Sequence, residues 1–324
     1  MKILVVSGFL GAGKTTFIKE LIRRTGTFPV VLENEYGQTD LDARELSRVG
    51  DLKILEFMEG CVCCTMKDDF LSSVLTISSA LDPEYLIVEP SGVGKLSGIL
   101  STLRKICYDR IQLLRPVVVL SPRSIGQNLS EWPDIFRDQI ANADVVVFSK
   151  SENNTPEELA QAASLIAAIR PEAQLDQRHY SQFDEDWWYR LLDIERKDGE
   201  ITASEQTEQL EQMALFHARL DHIGQLVCLL EDMLRGAFGQ IARGKGVLPV
   251  GDHMLRFDLA DGLYAITGTE EEATQCVFIG SFLEREPLCA RLNTTMPGVR
   301  PKRQIEEQGE TPSRIPLPGG RLPR

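Results

Sequence analysis

"GFLGAGKT", residues 8–15, follows the apolar run "KILVVS" (residues 2–7) and opens a stretch of helical periodicity, "KTTFIKELIRR" (residues 14–24). It fits G-x-x-x-x-G-K-[ST] in the strand–turn–helix setting that this motif needs. Glycines let the backbone close on a phosphate with its N–H groups inward, and the helix start adds the positive end of its dipole. On this reading Gly8, Gly11, Ala12, Gly13, Lys14, Thr15 and Thr16 bind the nucleotide phosphates. Lys14 meets the β- and γ-phosphates, and Thr15 ligates Mg²⁺. The rest of the fold is read outward from that loop.

Five further runs look like strands: "PVVLEN" (29–34), "LKILEF" (52–57), "YLIVEP" (85–90), "PVVVLS" (116–121) and "DVVVFSK" (144–150). They are continuously apolar, as strands covered on both faces are. Helical stretches lie between several of them. One starts at Thr155, with Pro156 in the first helical position and Glu158 three residues on, the pattern of a capping box. The fold class is α/β, a P-loop NTPase with a mostly parallel sheet and helices on both faces. A smaller α+β domain follows it. There "HIGQLVCLLEDMLRG" (222–236) reads as an amphipathic helix ending at Gly236, and "TQCVFIGSFLEREPLCARLN" (274–293) as strand, turn and helix. The expected division is a nucleotide domain over 1–178, a linker over 179–212, a C-terminal domain over 213–296 and a disordered tail over 297–324. Trp187 and Trp188 are expected to pack between the two units.

The chain has 324 residues, 43% of them hydrophobic and 26% charged, as in soluble globular proteins. Its formal net charge of -13 repels phosphate backbones, so no nucleic-acid partner is expected. No run approaches the roughly 20 apolar residues of a membrane-spanning helix, so no membrane partner is expected either. The run at the N-terminus is too short for a secretory leader. A cytoplasmic location follows, where thiols stay reduced. Seven cysteines with a tight cluster then point to metal or redox chemistry rather than to disulfides.

Two more elements belong with the phosphate loop. "YLIVEPSG" (85–92) is an apolar strand that delivers Glu89 toward Mg²⁺ and lets Gly92 offer its amide to the γ-phosphate. Catalytic work is assigned to Lys14, Thr15 and Glu89. "FSKSE" (148–152) stands where guanine-reading proteins carry N-K-x-D, with Lys150 along the base and Glu152 accepting from guanine N–H groups. Here Ser149 replaces the amide and Glu152 carries its carboxylate on a longer arm.

"EGCVCCTMKDDF" (59–70) holds Cys61, Cys63 and Cys64. Thiolates bind soft or borderline metals, and three within four residues reach one ion only through a tight turn. A fourth ligand must come from elsewhere, with Glu33 or Glu35 of "ENEYG" as candidates. Buried core cysteines and a redox pair are the competing readings. Cys107, Cys228, Cys276 and Cys289 are scattered among apolar residues and read as packing. The four histidines have no metal-ligand spacing.

Taken together, "SGFLGAGKTT", "ENEYG", "GCVCC", "IVEPSG" and "QIANADVVVFSK" resemble, in order and spacing, the CobW-type GTPases, relatives of the urease and hydrogenase nickel-insertion proteins. "GKGVLPV" and "CVFIGSFLEREPL" resemble the family's C-terminal domain. The resemblance implies GTP-dependent delivery of a transition metal, zinc or cobalt, to a client metalloprotein. The implied metal ligands are Cys61, Cys63 and Cys64 with Glu33, and the implied cofactors are GTP and Mg²⁺. A nucleotide- or metal-dependent homodimer is a further expectation. Two other readings are a GTPase assisting a corrinoid enzyme, and a nucleotide-binding metal sensor or buffer without useful turnover. The histidine-rich tract of many zinc-handling relatives is missing here.

Overall fold

The computed structural model describes residues 1–36, 53–59, 66–197, 199–202, 210–271 and 274–294, with 34–36, 53–59 and 66–69 described by backbone alone. The expected tail over 297–324 lies outside the described residues.

The first unit contains β1 (Lys2–Ser7), α1 (Lys14–Thr25), β2 (Val30–Tyr36), β3 (Lys53–Glu59), α2 (Met66–Ala80), β4 (Tyr85–Glu89) and α3 (Leu96–Arg104). There follow β5 (Gln112–Leu113), β6 (Val117–Leu120), α4 (Ile125–Glu131), α5 (Pro133–Ala141), β7 (Val145–Phe148), α6 (Pro156–Ala167), β8 (Gln174–His179) and α7 (Glu185–Leu191). The sheet runs β3-β2-β4-β1-β6-β7-β8 with β5 beside β1, and each of these pairings is parallel. The apolar runs are continuous because both faces are covered. Ile3 and Val5 of β1 face a layer with Leu96 and Leu100 of α3 and Phe136 of α5. Leu4 and Val6 face the opposite layer, with Phe17, Ile18 and Leu21 of α1. Alternate side chains of one strand thus enter two cores. The capping box at α6 is present, the Thr155 hydroxyl accepting from Glu158 N–H and the Glu158 carboxylate from Thr155 N–H.

The stretch expected as a linker is partly folded. Asp184 caps α7 by accepting from Trp187 N–H at 2.8 Å. Trp188 is fully buried against Phe17 and Tyr180, with ring centroids 5.3 and 6.2 Å apart. It completes the α1 layer of the first unit rather than packing between the units. A helix of about two turns, with its apolar residues set among charged ones, leaves too short a period to stand out from a polar segment.

The second unit contains β9 (Glu211–Phe216), α8 (Ile223–Leu234), β10 (Gln240–Val250), β11 (His253–Ala260), β12 (Leu263–Gly268), β13 (Gln275–Ser281) and α9 (Arg285–Arg291). The sheet order is β12-β11-β10-β13-β9, antiparallel throughout. One face packs on the two helices, with Leu248, Phe257, Cys276 and Phe278 against Leu226, Leu230 and Leu288. Gly246 makes room there, since a Cβ on it would stand 2.4 Å from the Phe257 ring. The other face turns to the first unit. Ala242, Val277 and Ile279 share a buried cluster with Phe9 and Leu10 of the phosphate loop. Cys276 and Cys289 pack as expected and Cys107 is half-buried, but Cys228 is exposed on α8. Among the described residues no helix is long and apolar enough to cross a membrane.

Trp188→Ala removes the largest fully buried side chain of the first unit, and large-to-small changes of this kind cost about 3–5 kcal/mol. Urea unfolding followed by far-UV circular dichroism is expected to show a loss of that order. A change below about 1 kcal/mol would mean that the α7 layer does not support the first sheet.

Candidate nucleotide site

The phosphate loop is held in shape by contacts that admit no side chain. Gly8 sits at φ 146°, and a Cβ on it would stand 2.3 Å from the Val119 carbonyl oxygen of β6. Gly13 precedes α1 at φ 88°, in the left-handed region that favours glycine. Lys14 is buried and arches back over the loop, its Nζ donating to the Gly8 carbonyl at 3.1 Å and the Phe9 carbonyl at 3.5 Å.

Thr15 and Glu89 meet as the sequence implied. The Thr15 hydroxyl donates to the Glu89 carboxylate at 3.0 and 3.3 Å, joining the first turn of α1 to the carboxyl end of β4. Beyond Glu89 the chain passes close over the loop, and a Cβ on Gly92 would stand 2.5 Å from the Leu10 nitrogen. Sequence reasoning missed what holds this segment. Gln139 of α5, fully buried, donates through Nε2 to the Gly92 and Gly94 carbonyls, both at 3.1 Å. Its neighbour Asp138 accepts from Ser97 N–H at 3.0 Å at the start of α3. Burial raises the Asp138 carboxyl above its ordinary range, against the lowering effect of the Ser97 hydrogen bonds. Gln139 opens "QIANADVVVFSK" and Asp138 directly precedes it, so the block was visible but these roles were not.

The base-reading element divides in two. The Ser149 hydroxyl donates to the Ala12 carbonyl at 2.6 Å, tying the end of β7 to the phosphate loop. Ser149 thus has a bridging role of its own in place of the expected amide. Lys150, in a left-handed conformation at φ 52°, lines the cavity and pairs with Asp261 of the second unit at 3.0 Å. Glu152 does not line the cavity. It is 64% exposed, with Oε1 3.4 Å from His179 Nε2.

Glu33 is buried and lines the same cavity, in register with Glu89 on the neighbouring strand. Cys61, Cys63 and Cys64 lie outside the described residues, as does the Glu35 side chain. Among the described residues no cluster of three or more His, Cys, Asp or Glu is placed to hold a metal ion.

These groups open on a cavity of about 670 Å³ whose far wall belongs to the second unit. Arg243 and Lys245 of β10 and Arg256 and Asp258 of β11 face Lys14, Thr15 and Glu89 across it. On a chain of net charge -13, the cations lining this cavity outnumber the carboxylates. A polyanion of nucleotide size fits that charge and that volume.

The chain is similar to the zinc chaperone YeiR of Escherichia coli, 35% identical over 47% of this chain and 47% of the relative. It is 26% identical to the zinc-regulated GTPase metalloprotein activator 1 of Schizosaccharomyces pombe, over 62% of this chain and 51% of the relative. The chain spans about half the length of the curated relatives it matches here. A solved structure of Zn(II)-bound YjiA GTPase from E. coli aligns over 90% of this chain and 98% of its own, at 15% identity and a TM-score of 0.43. The family model described as CobW/HypB/UreG, nucleotide-binding domain, matches residues 2–177. That span holds the phosphate loop, Glu89, Gln139 and Lys150, and by it the chain belongs to the CobW/HypB/UreG family.

Proposed function

We propose that this chain is a GTPase that binds a transition metal and passes it to a client protein under the control of its nucleotide. The observation that carries the nucleotide half is the Thr15–Glu89 pair. Two hard oxygen donors 3.0 Å apart, beside the phosphate-loop lysine in a cavity of nucleotide size, fit Mg²⁺. Bound there with the phosphates, the ion would neutralise charge that builds up during phosphoryl transfer. In the chain itself, Lys14 neutralises the phosphates, the loop amides hold them in line, and the backbone at Gly92, fixed by Gln139, is set to sense the γ-phosphate. Hydrolysis is proposed to be slow, since catalysis here is positioning and charge stabilisation with little covalent chemistry from the protein.

The metal half rests on sequence position and chemistry. β3 ends at Glu59, and Cys61, Cys63 and Cys64 follow it directly. Open α/β sheets gather ligands at the carboxyl ends of their strands, and there Glu33 lies in register with Glu89. The proposed ligand set is the three thiolates with Glu33, and zinc or cobalt is the cargo. Two similar proteins that carry zinc in their names support zinc first. The partner is a client metalloprotein, and the setting is the cytoplasm.

Lys14→Ala is expected to abolish GTP hydrolysis in a phosphate-release assay with Mg²⁺ present. A variant that keeps the parent rate would show that the reaction does not occur at this loop.

Guanine preference is proposed for Lys150, which lines the cavity, and for Glu152, whose carboxylate would have to turn from His179 to meet the base. An unpaired buried polar group costs about 1–3 kcal/mol, so GTP is expected to bind roughly ten- to a hundredfold tighter than ATP. Glu152→Ala narrows that gap in competition binding. Equal parent affinities for the two nucleotides would remove the base reading.

If the metal ligands and the γ-phosphate share switch segments, metal and GTP must change each other's affinity by one common factor. A coupling of about 1–3 kcal/mol is typical, roughly 5- to 150-fold. Zinc titration of reduced protein, with GDP and then with a non-hydrolysable GTP analogue, is expected to give one site of different affinity in the two states. A Cys63→Ala, Cys64→Ala double variant loses that site and still binds GTP. Identical metal affinities in both states would sink the delivery mechanism.

A further inference from the structure

The second unit presents a cationic wall to the phosphate loop, and we infer that Arg243 and Lys245 reach across it to contact the γ-phosphate end of the bound nucleotide. This inference rests on the nucleotide reading of the cavity.

The wall is a consequence of strand alternation. In β10 and β11, Arg243 lies opposite Ala260, Lys245 opposite Asp258 and Val247 opposite Arg256. Directly paired residues share a face, so Arg243, Lys245, Asp258 and Arg256 project together. The intervening residues, Gly244, Gly246, Phe257 and Leu259, turn to the α8 and α9 side, where Phe257 and Leu259 are part of the core. Two glycines on that side let the Phe257 and Phe278 rings lie against the strand, with ring centroids 6.2 Å apart. The polar face is therefore fixed by the packing of the apolar one.

That face meets the phosphate loop at its middle. Gly11 has φ 75°, and a Cβ built on it would stand 2.6 Å from Ala260 Cβ and 3.9 Å from Arg243 Nη1. The guanidinium is thus already beside the loop backbone. Lys245 is buried, and the Arg243 side chain is 17% exposed. Cations this far from water are costly unless anions stand with them. Asp258 stands 3.5 Å from Arg243 and Glu271 stands 3.9 Å from Arg256, both long contacts for ion pairs. Even so, the residues lining the cavity include more cations than carboxylates, and this face brings three of those cations to it.

The chemistry gives that excess a use. In hydrolysis, water oxygen bonds to the γ-phosphorus while the bond from that phosphorus to the β–γ bridging oxygen breaks. The electron pair of the broken bond stays on the GDP leaving group, and the water proton passes to the released phosphate or to solvent. Negative charge thus grows on the bridging and γ-oxygens, and an arginine brought in beside a phosphate loop stabilises it. Here the arginine would come from the same chain. The Lys150–Asp261 ion pair, at the β11–β12 turn, holds the wall in place from the base side.

The test uses the full chain with Arg243→Gln, Lys245→Gln and their double variant. It measures single-turnover GTP hydrolysis and affinities for GDP and for a non-hydrolysable GTP analogue at fixed Mg²⁺. Each single variant is expected to hydrolyse at least about tenfold more slowly than the parent. The double variant is expected to bind the analogue at least about tenfold more weakly while GDP affinity stays within about threefold. Parent-like rates with an unchanged analogue-to-GDP ratio overturn the inference, and so does an equal loss for both nucleotides. If the glutamine variants do not fold, Arg243→Lys decides. A slower rate at parent-like GDP affinity supports the contact, and the parent rate overturns it. A parent chain that binds neither nucleotide overturns the nucleotide reading itself. Glutamine variants that match the parent while Lys14→Ala is inactive overturn this inference alone.

Discussion

The two halves of the molecule meet where neither has room for more. Gly11 lacks a side chain, and Ala260 brings only a methyl group to within contact of its α-carbon. Any larger residue at Gly11 would push the second sheet away from the phosphate loop, and its φ of 75° disfavours one on the backbone's account as well. From this contact the rest of the site follows. It sets the depth of the cavity, brings the Arg243 guanidinium beside the loop and lets Lys150 reach Asp261. A glycine read from sequence as part of a phosphate cradle is therefore also the contact point of the two walls of the cavity.

The first unit was legible because β1, β4, β6 and β7 are buried on both faces, which writes them as unbroken apolar runs that short periodic helices punctuate. The six runs read from sequence are β1, β2, β3, β4, β6 and β7. The missed strands have physical reasons to be quiet. β5 has two residues, and β8, at the sheet edge, carries Asp176, Arg178 and His179 and is largely solvent-exposed. The α7 helix escaped for a related reason, since its meaning lies in Trp188 meeting Phe17 across sequence. A tryptophan pair beside a polar stretch offers no sign of which side of a linker it belongs to.

Site residues divide along the same line. Lys14, Thr15, Glu89 and Lys150 were readable because local motifs fix them, strand end by strand end. Gln139, Arg243 and Lys245 were not, because each acts through a partner far along the chain. Gln139 is a buried helical residue until the Gly92 and Gly94 carbonyls are seen against it. Arg243 and Lys245 alternate with glycines in "ARGKG", a pattern that signals a two-faced strand but not what stands opposite either face. Glu152 shows the converse. Its spacing from Lys150 is that of a base-reading carboxylate, yet the side chain leans to His179. Spacing fixes where a backbone goes, and a long side chain retains freedom to choose a partner.

Charge explains why nucleotide and metal readings belong to one edge of the sheet. Glu33 and Glu89 stand in register on adjacent strands, both lining the cavity, and two carboxylates so placed repel one another. Cations offset that cost, and the cavity supplies them from both sides, through Lys14 below and the β10–β11 wall above. A bound nucleotide changes the balance by adding negative charge to the cations' side of the account. With Mg²⁺ bound as proposed, the ion offsets the charge of Glu89, and Glu33, one strand further out, favours a cation of its own. On the proposed reading that cation is the cargo. Occupancy of the two sites is then linked through the shared cations and carboxylates of one strand edge, with no longer path required.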